Sequence, residues 1–156
     1  MPKRSPGSRP KARSARPPAR PATPAAPPPP VDPAAPCRCC SGLAYGACCA
    51  PLHAGDAQPA GAEQLMRSRF CAFALGDAGY LLQSWHSGTR PARLTLDPAI
   101  RWTLLEILGS TGGGPFHTEG TVRFRAHYLD RGEAGSMEEN SAFAREDGRW
   151  VYVSAL

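Results

Sequence analysis

Five of the six cysteines of this 156-residue chain fall within thirteen positions, in the run Cys37-Arg38-Cys39-Cys40-Ser41-Gly42-Leu43-Ala44-Tyr45-Gly46-Ala47-Cys48-Cys49. Thiols this crowded can pair as disulfides, cycle as a redox couple or ligate a metal. Five is an odd number, and residues 1–36 lack the apolar stretch of a secretory signal. A disulfide framework is therefore not expected, and the chain reads as cytoplasmic. Nothing around the cluster supplies a thioredoxin-like setting for a redox pair. A closed structural zinc site uses four soft ligands in a tetrahedron, with sulfur at about 2.3 Å. Here Cys-x-Cys, eight residues and then Cys-Cys put one pair on each side of a Ser41-Gly42 turn. Cys37, Cys39, Cys48 and Cys49 are thus the expected ligands of one structural Zn²⁺. A rival set takes Cys40 in place of Cys39, which gives Cys-x-x-Cys. His53 is a spare ligand that four cysteines make unnecessary, and Tyr45 is placed to cover one face of the site.

A second group of residues could line a pocket. Between positions 61 and 75 the apolar residues Ala62, Leu65, Met66, Phe70, Ala72 and Phe73 recur with the helical period, and Arg69 falls inside their face. A buried guanidinium needs a partner, and Glu139 or Glu106 is the expected carboxylate. Arg69 is then either half of a structural ion pair or an anion-gripping group at a pocket mouth. Trp85-His86 offers an aromatic wall and a general base. Cys71 falls away from the main apolar face and is expected to pack against the second helix or the cysteine module. The run Gly112-Gly113-Gly114 is not a phosphate loop, because no Lys-Ser/Thr follows and no helix opens there.

The elements that must position these groups read as helices first and strands after. A helix over 61–75 ends at Gly76-Asp77, and a shorter one follows over 77–85. Strands are expected at Trp102–Leu108, Thr118–Leu129, Met137–Arg145 and Arg149–Ser154. The second alternates Val122, Phe124, Ala126 and Tyr128 against Thr121, Arg123, Arg125 and His127. In the third, Met137, Glu139, Ser141 and Phe143 share a face. Asp147-Gly148 marks a tight hairpin between the last two. This order argues an α+β fold in which an antiparallel sheet curves around the first helix.

Charge is uneven along the chain. Residues 1–36 hold 13 of the 18 prolines, seven Lys+Arg and one acid, Asp32, whereas residues 37–156 hold eleven Arg, no Lys and twelve acids. The overall charge of +5 therefore belongs to the tail, and the body lacks the basic surface of a globular nucleic-acid-binding domain. Proline at this density predicts a disordered or polyproline tail, capable of weak, salt-sensitive contact with RNA or ribosomes. No apolar run is long enough for a membrane-spanning helix. Residues 37–55 are expected as the zinc knuckle and 61–156 as one α+β domain.

The run Cys37–Cys49 resembles the SEC-C motif, the zinc-binding element also found at the C-terminus of the SecA translocation ATPase. Its pattern is Cys-x-Cys-Gly-Ser-Gly, a lysine-rich turn, then Cys-Cys or Cys-His. With Glu63-Gln64-Leu65-Met66-Arg67-Ser68-Arg69-Phe70 and Trp85-His86, the chain resembles the YchJ family of bacterial proteins, over about residues 37–154. The resemblance implies a nuclear transport factor 2-like domain, a cystatin-like cone, after the motif. It also implies Cys37, Cys39, Cys48 and Cys49 as ligands. Cys40 stands where the family has glycine, and Leu43-Ala44 replaces the basic turn. Two functions follow as expectations. The first is a non-enzymatic zinc module that docks a protein, ribosomal or export partner. The second is a small-ligand or isomerase/dehydratase-like pocket using Arg69, His86 and Glu139, with Trp85 beside them.

Overall fold

The computed structural model describes residues 28–156. A 3₁₀ turn at Tyr45–Ala47 leads into three helices, α1 (Ala50–Ala54), α2 (Ala62–Leu75) and α3 (Ala78–Gln83). Four strands follow: β1 (Ile100–Gly112), β2 (Glu119–Asp130), β3 (Glu133–Glu146) and β4 (Arg149–Ala155). The strands form one antiparallel sheet in the order β1-β2-β3-β4, so the fold is α+β as expected. The predicted residues 1–27 of the proline-rich tail lie outside the described residues. The far end of that tail is corrected: Tyr45 donates its N–H to Ala35 O at 2.8 Å, Gly46 donates to Pro33 O at 2.9 Å, and Pro36 bridges Ala44. Residues 33–36 thus belong to the cysteine module, because their carbonyls take up donors that its turn would otherwise leave unpaired.

α2 begins after Gly61 and ends at Gly76, whose left-handed backbone (φ 76°) closes the last turn. It has no side-chain N-cap. Instead Ala62 donates its N–H to Gly113 O at 2.9 Å. A Cβ on Gly61 would stand 2.6 Å from that oxygen, and one on Gly113 would stand 2.7 Å from Ala62 Cβ. The glycine run after β1 is therefore the place where the sheet's backbone meets the helix start. α3 is capped by Asp77, whose Oδ1 accepts from Tyr80 N at 3.0 Å.

β2 keeps its alternation: Val122, Phe124 and Ala126 are buried. β3 keeps it too, with Ser141 and Phe143 buried and Glu139 on the same, helix-facing side. β1 is longer than expected and irregular. Register shifts between Trp102 and Leu104 and between Ile107 and Gly109 reset its alternation. They turn Leu105 inward and leave Leu104 and Leu108 exposed. Such bulges add local twist, which wraps the sheet around α2. Leu65, Phe70, Val122, Phe124, Phe143 and Trp150 form the centre of the core between helix and sheet.

The segment after α3 behaves as a short edge strand. Tyr152 donates its N–H to Ser84 O at 2.9 Å, and His86 donates its N–H to Tyr152 O at 2.7 Å. This pairs Trp85 with Tyr152 in parallel. Successive residues of an extended segment point to opposite faces, so Trp85 and His86 part company here.

Candidate functional site

The cysteine module is a small hairpin. Cys37 donates its N–H to Leu43 O at 2.8 Å, which closes the loop between them. The 3₁₀ turn then returns the chain so that Cys48 and Cys49 arrive at the start of α1 beneath the loop. The Sγ atoms of Cys37, Cys39, Cys48 and Cys49 all lie within 4.8 Å of one another. Cys39 and Cys48 are 3.5 Å apart, and Cys48 and Cys49 are 3.9 Å apart. A tetrahedron with sulfur about 2.3 Å from zinc has edges of about 3.8 Å, so these four thiols match a closed sulfur site. Among the described residues no disulfide links them.

Cys40 stands outside the group. Its side chain is exposed and points to Arg38 O at 3.6 Å. Its backbone is left-handed, with φ 64°. A non-glycine residue there carries a strain of roughly 1–2 kcal/mol. Cys40→Gly should therefore keep the metal stoichiometry and raise stability by up to about 1 kcal/mol, after allowing for the entropy glycine brings to the unfolded chain. Chemical denaturation checks this. A loss of metal in that variant would assign Cys40 to the ligand set.

Cys71 is the member of the cluster that spacing does not reveal. It is fully buried on α2, and its Sγ lies 3.9 Å from that of Cys37. It forms a second convergent group with Cys49 and His53. The expectation that it packs against the cysteine module agrees with this contact, but the approach of a fifth thiol across 34 residues leaves no local signal. His53 is already engaged at both ring nitrogens. Tyr45 Oη lies 2.8 Å from Nδ1, and Nε2 lies 2.8 Å from Ser68 O. A carbonyl can only accept, so Nε2 carries the hydrogen and Nδ1 accepts from Tyr45. Burial pushes the Tyr45 phenol up to about 12, which keeps it a donor. Arg67 Nη1 donates to Cys39 O at 3.1 Å. The hairpin is thus fastened to α2 by Arg67, Ser68 and Cys71.

The thiols share protons unequally. Hydrogen bonds from Cys39 and then Cys49 hold the Cys37 thiol down to about 6. A hydrogen bond from Cys37 comes first among the causes that hold Cys71 down to about 5. Burial pushes Cys48 up to about 11. The hydrogen bond Cys49 gives to Cys37 pushes its own thiol upward. The cluster thus pulls Cys37 and Cys71 downward and Cys48 and Cys49 upward through the hydrogen bonds and burial they share.

The second candidate region is a cavity of about 140 Å³ between α2 and the sheet. Arg69, Trp85 and Glu139 all line it. Arg69 is only 3% exposed. Its guanidinium carbon sits 5.1 Å from the Trp85 ring centre and 4.6 Å from that of Tyr152. Nη1 donates to Leu81 O and to Ser84 Oγ, each at 2.7 Å. The expected ion pair is not formed: neither Glu139 nor Glu106 bridges Arg69 among the described residues. Two aromatic faces, a carbonyl and a hydroxyl take its place. Burial holds the guanidinium down to about 10, so it stays charged at neutral pH. Glu106 lies on the outer face of the sheet with His127 at 2.6 Å. His86 is not on the cavity wall. Its Nε2 lies 3.4 Å from Glu146 Oε2, and its Nδ1 accepts from Gly88 N at 3.0 Å. The trio of Arg69, His86 and Glu139 is therefore not brought together.

Residues 61–155 match the family described as the YchJ middle NTF2-like domain. A UPF0225 protein of Streptomyces coelicolor is 57% identical over 117 residues, covering 75% of this chain and 91% of that protein. One from Deinococcus radiodurans is 41% identical over 120 residues, covering 76% and 87%. The solution structure of a SEC-C motif-containing protein from Rhodopseudomonas palustris superposes with a TM-score of 0.67 at 32% identity, covering 77% of this chain and 96% of the other. A crystal structure of a SEC-C motif-containing protein from Psychrobacter arcticus gives 0.62 at 23% identity, with 76% and 79% covered, and bears on the fold alone.

Proposed function

The chain belongs to the YchJ family, and from that premise we propose that it is a cytoplasmic structural-zinc module whose knuckle docks a protein partner of the translation or export machinery. The observation that carries the metal half is the convergence of four thiols at tetrahedral spacing. The ligands are Cys37, Cys39, Cys48 and Cys49. Zinc bound by them supplies no open coordination position, so its contribution is to hold a hairpin that has little apolar core of its own. Six cysteines without a disulfide suit a reducing compartment. Among the described residues no helix is long and apolar enough to cross a membrane.

Docking is supported by the outward side of the hairpin. Leu43, where the loop closes on Cys37, is 54% exposed, and Arg38 and Cys40 of the same loop are exposed too. A partner that covered this side chain would remove its apolar surface from water, which is why it is the residue to test. The metal half is tested by zinc content of the purified chain: one zinc in the wild type and in Cys40→Ala, none in Cys39→Ala. The docking half is tested by affinity capture with the wild type and with Leu43→Glu. Loss of captured ribosomal or export components in Leu43→Glu, with zinc content unchanged, supports it; identical capture refutes it.

Zinc loading should also release protons. Zinc takes thiolates, whereas a free thiol titrates at about 8.5. The Cys48 and Cys49 thiols are pushed higher still in the folded hairpin, so both carry protons at neutral pH whether or not it is ordered. At least two protons must therefore leave when zinc binds, and acidification must weaken binding. Titration calorimetry at pH 7 in two buffers of different ionisation enthalpy measures the number. An apparent enthalpy independent of buffer would contradict this ligand set.

A further inference from the structure

The cavity between α2 and the sheet has a polarity that a packing defect would not have. Its walls are mostly aromatic and thioether, with Phe70, Phe73, Trp102 and Met137 among them. An apolar void of about 150 Å³ accommodates a benzene-sized body, and this one measures about 140 Å³. One end is cationic and rich in donors. Arg69 spends only Nη1 on the protein, and its other guanidinium N–H groups have no partner among the described residues. A guanidinium with spare N–H groups at the end of an apolar enclosure favours an anionic acceptor there. Elsewhere on the wall stands a carboxylate. Glu139 Oε1 accepts from Ser141 Oγ at 2.7 Å and from Tyr152 Oη at 3.4 Å, while Oε2 has no partner among the described residues.

We infer that this cavity binds a small carboxylic acid. Its carboxylate sits on Arg69, its hydrocarbon or aromatic body lies among the rings, and a hydroxyl or amino donor faces Glu139. A flat guanidinium clamped between two rings presents a fixed fork, which matches a planar carboxylate. A phosphate dianion fits less well, because it would place surplus negative charge beside Glu139 in an apolar enclosure. The inference stands apart from the metal reading, since none of its residues is a cysteine of the knuckle.

The three tryptophans report directly on it. Trp85 and Trp102 line the cavity and Trp150 does not. The experiment is a titration of the full-length ¹⁵N-labelled chain, followed by the indole N–H resonances. The probes are benzoate and its monohydroxy derivatives, with neutral benzamide as the control. The expected result is saturable movement of the Trp85 and Trp102 resonances while Trp150 stays still. Benzoate should bind about tenfold tighter than benzamide, the equivalent of about 1.4 kcal/mol for the charge contact. At least one hydroxy derivative should bind tighter than benzoate. Glu139→Gln keeps an acceptor for Ser141 and Tyr152. It should tighten benzoate several-fold by removing a like charge, and erase the advantage of the hydroxy derivative. Arg69→Lys should weaken benzoate by about tenfold where circular dichroism shows it folded; where it does not fold, Glu139→Gln decides alone. The inference is overturned by the absence of any saturable shift, by equal binding of benzamide, by Trp150 moving with the others, or by Glu139→Gln leaving both affinities unchanged.

Discussion

Cys49→Ser is expected to strip the zinc from the chain and unfold the hairpin of residues 33–49, leaving the four-stranded sheet in place. Cys49 is fully buried between the knuckle and α2, and its Sγ belongs to both convergent groups of ligand atoms. The hairpin gains little from burial otherwise, so on the zinc reading proposed above its order should depend on the metal. A structural zinc contributes roughly 10–16 kcal/mol to small metal-folded peptides, and loss of one thiolate from four removes the closed site that delivers it. Metal analysis should fall from one zinc to none. Hydrogen exchange at the amides of Cys37, Tyr45 and Gly46, which bond across the hairpin, should lose its protection. A variant that retains zinc with unchanged protection would show that the thiols pack without needing an ion.

Phe143→Ala should do the opposite: weaken the domain and spare the metal. Phe143 is 1% exposed and meets Tyr152 edge-on, with ring centres 5.8 Å apart. Its ring sits in the core between α2 and the sheet. Truncating a buried phenylalanine costs about 3–5 kcal/mol through lost burial and the void left behind. Chemical denaturation of the zinc-loaded chain measures this, with metal analysis in parallel. A loss below about 1 kcal/mol would mean that the sheet collapses to fill the space.

Much of this architecture was legible because its signals are local. The helical period over 62–75 placed Arg69 in an apolar face, and the period of two in β3 turned Glu139 to the same side. The partners of Arg69 were not legible, because a backbone carbonyl and the flat side of a ring leave no charge pattern in a sequence. Trp85 and His86 show the converse error: adjacency suggested one site, while the extended backbone sends them to opposite faces. Bulges hid the alternation of β1, since each one resets which residues point inward. Cys71 escaped as a member of the thiol cluster because its approach to Cys37 exists only once α2 has docked under the hairpin.

α2 has two working sides. Arg67, Ser68 and Cys71 hold the knuckle, while Met66, Arg69, Phe70 and Phe73 wall the cavity. Neighbouring residues of one rigid element therefore serve the two proposed sites at once. Whatever free energy zinc gives to seating this helix is available to an acid that needs the helix seated, and the debt runs equally in the other direction. By reciprocity, a compound that binds the cavity only when α2 is docked must tighten the equilibrium affinity for the metal by the same factor by which the metal tightens the compound.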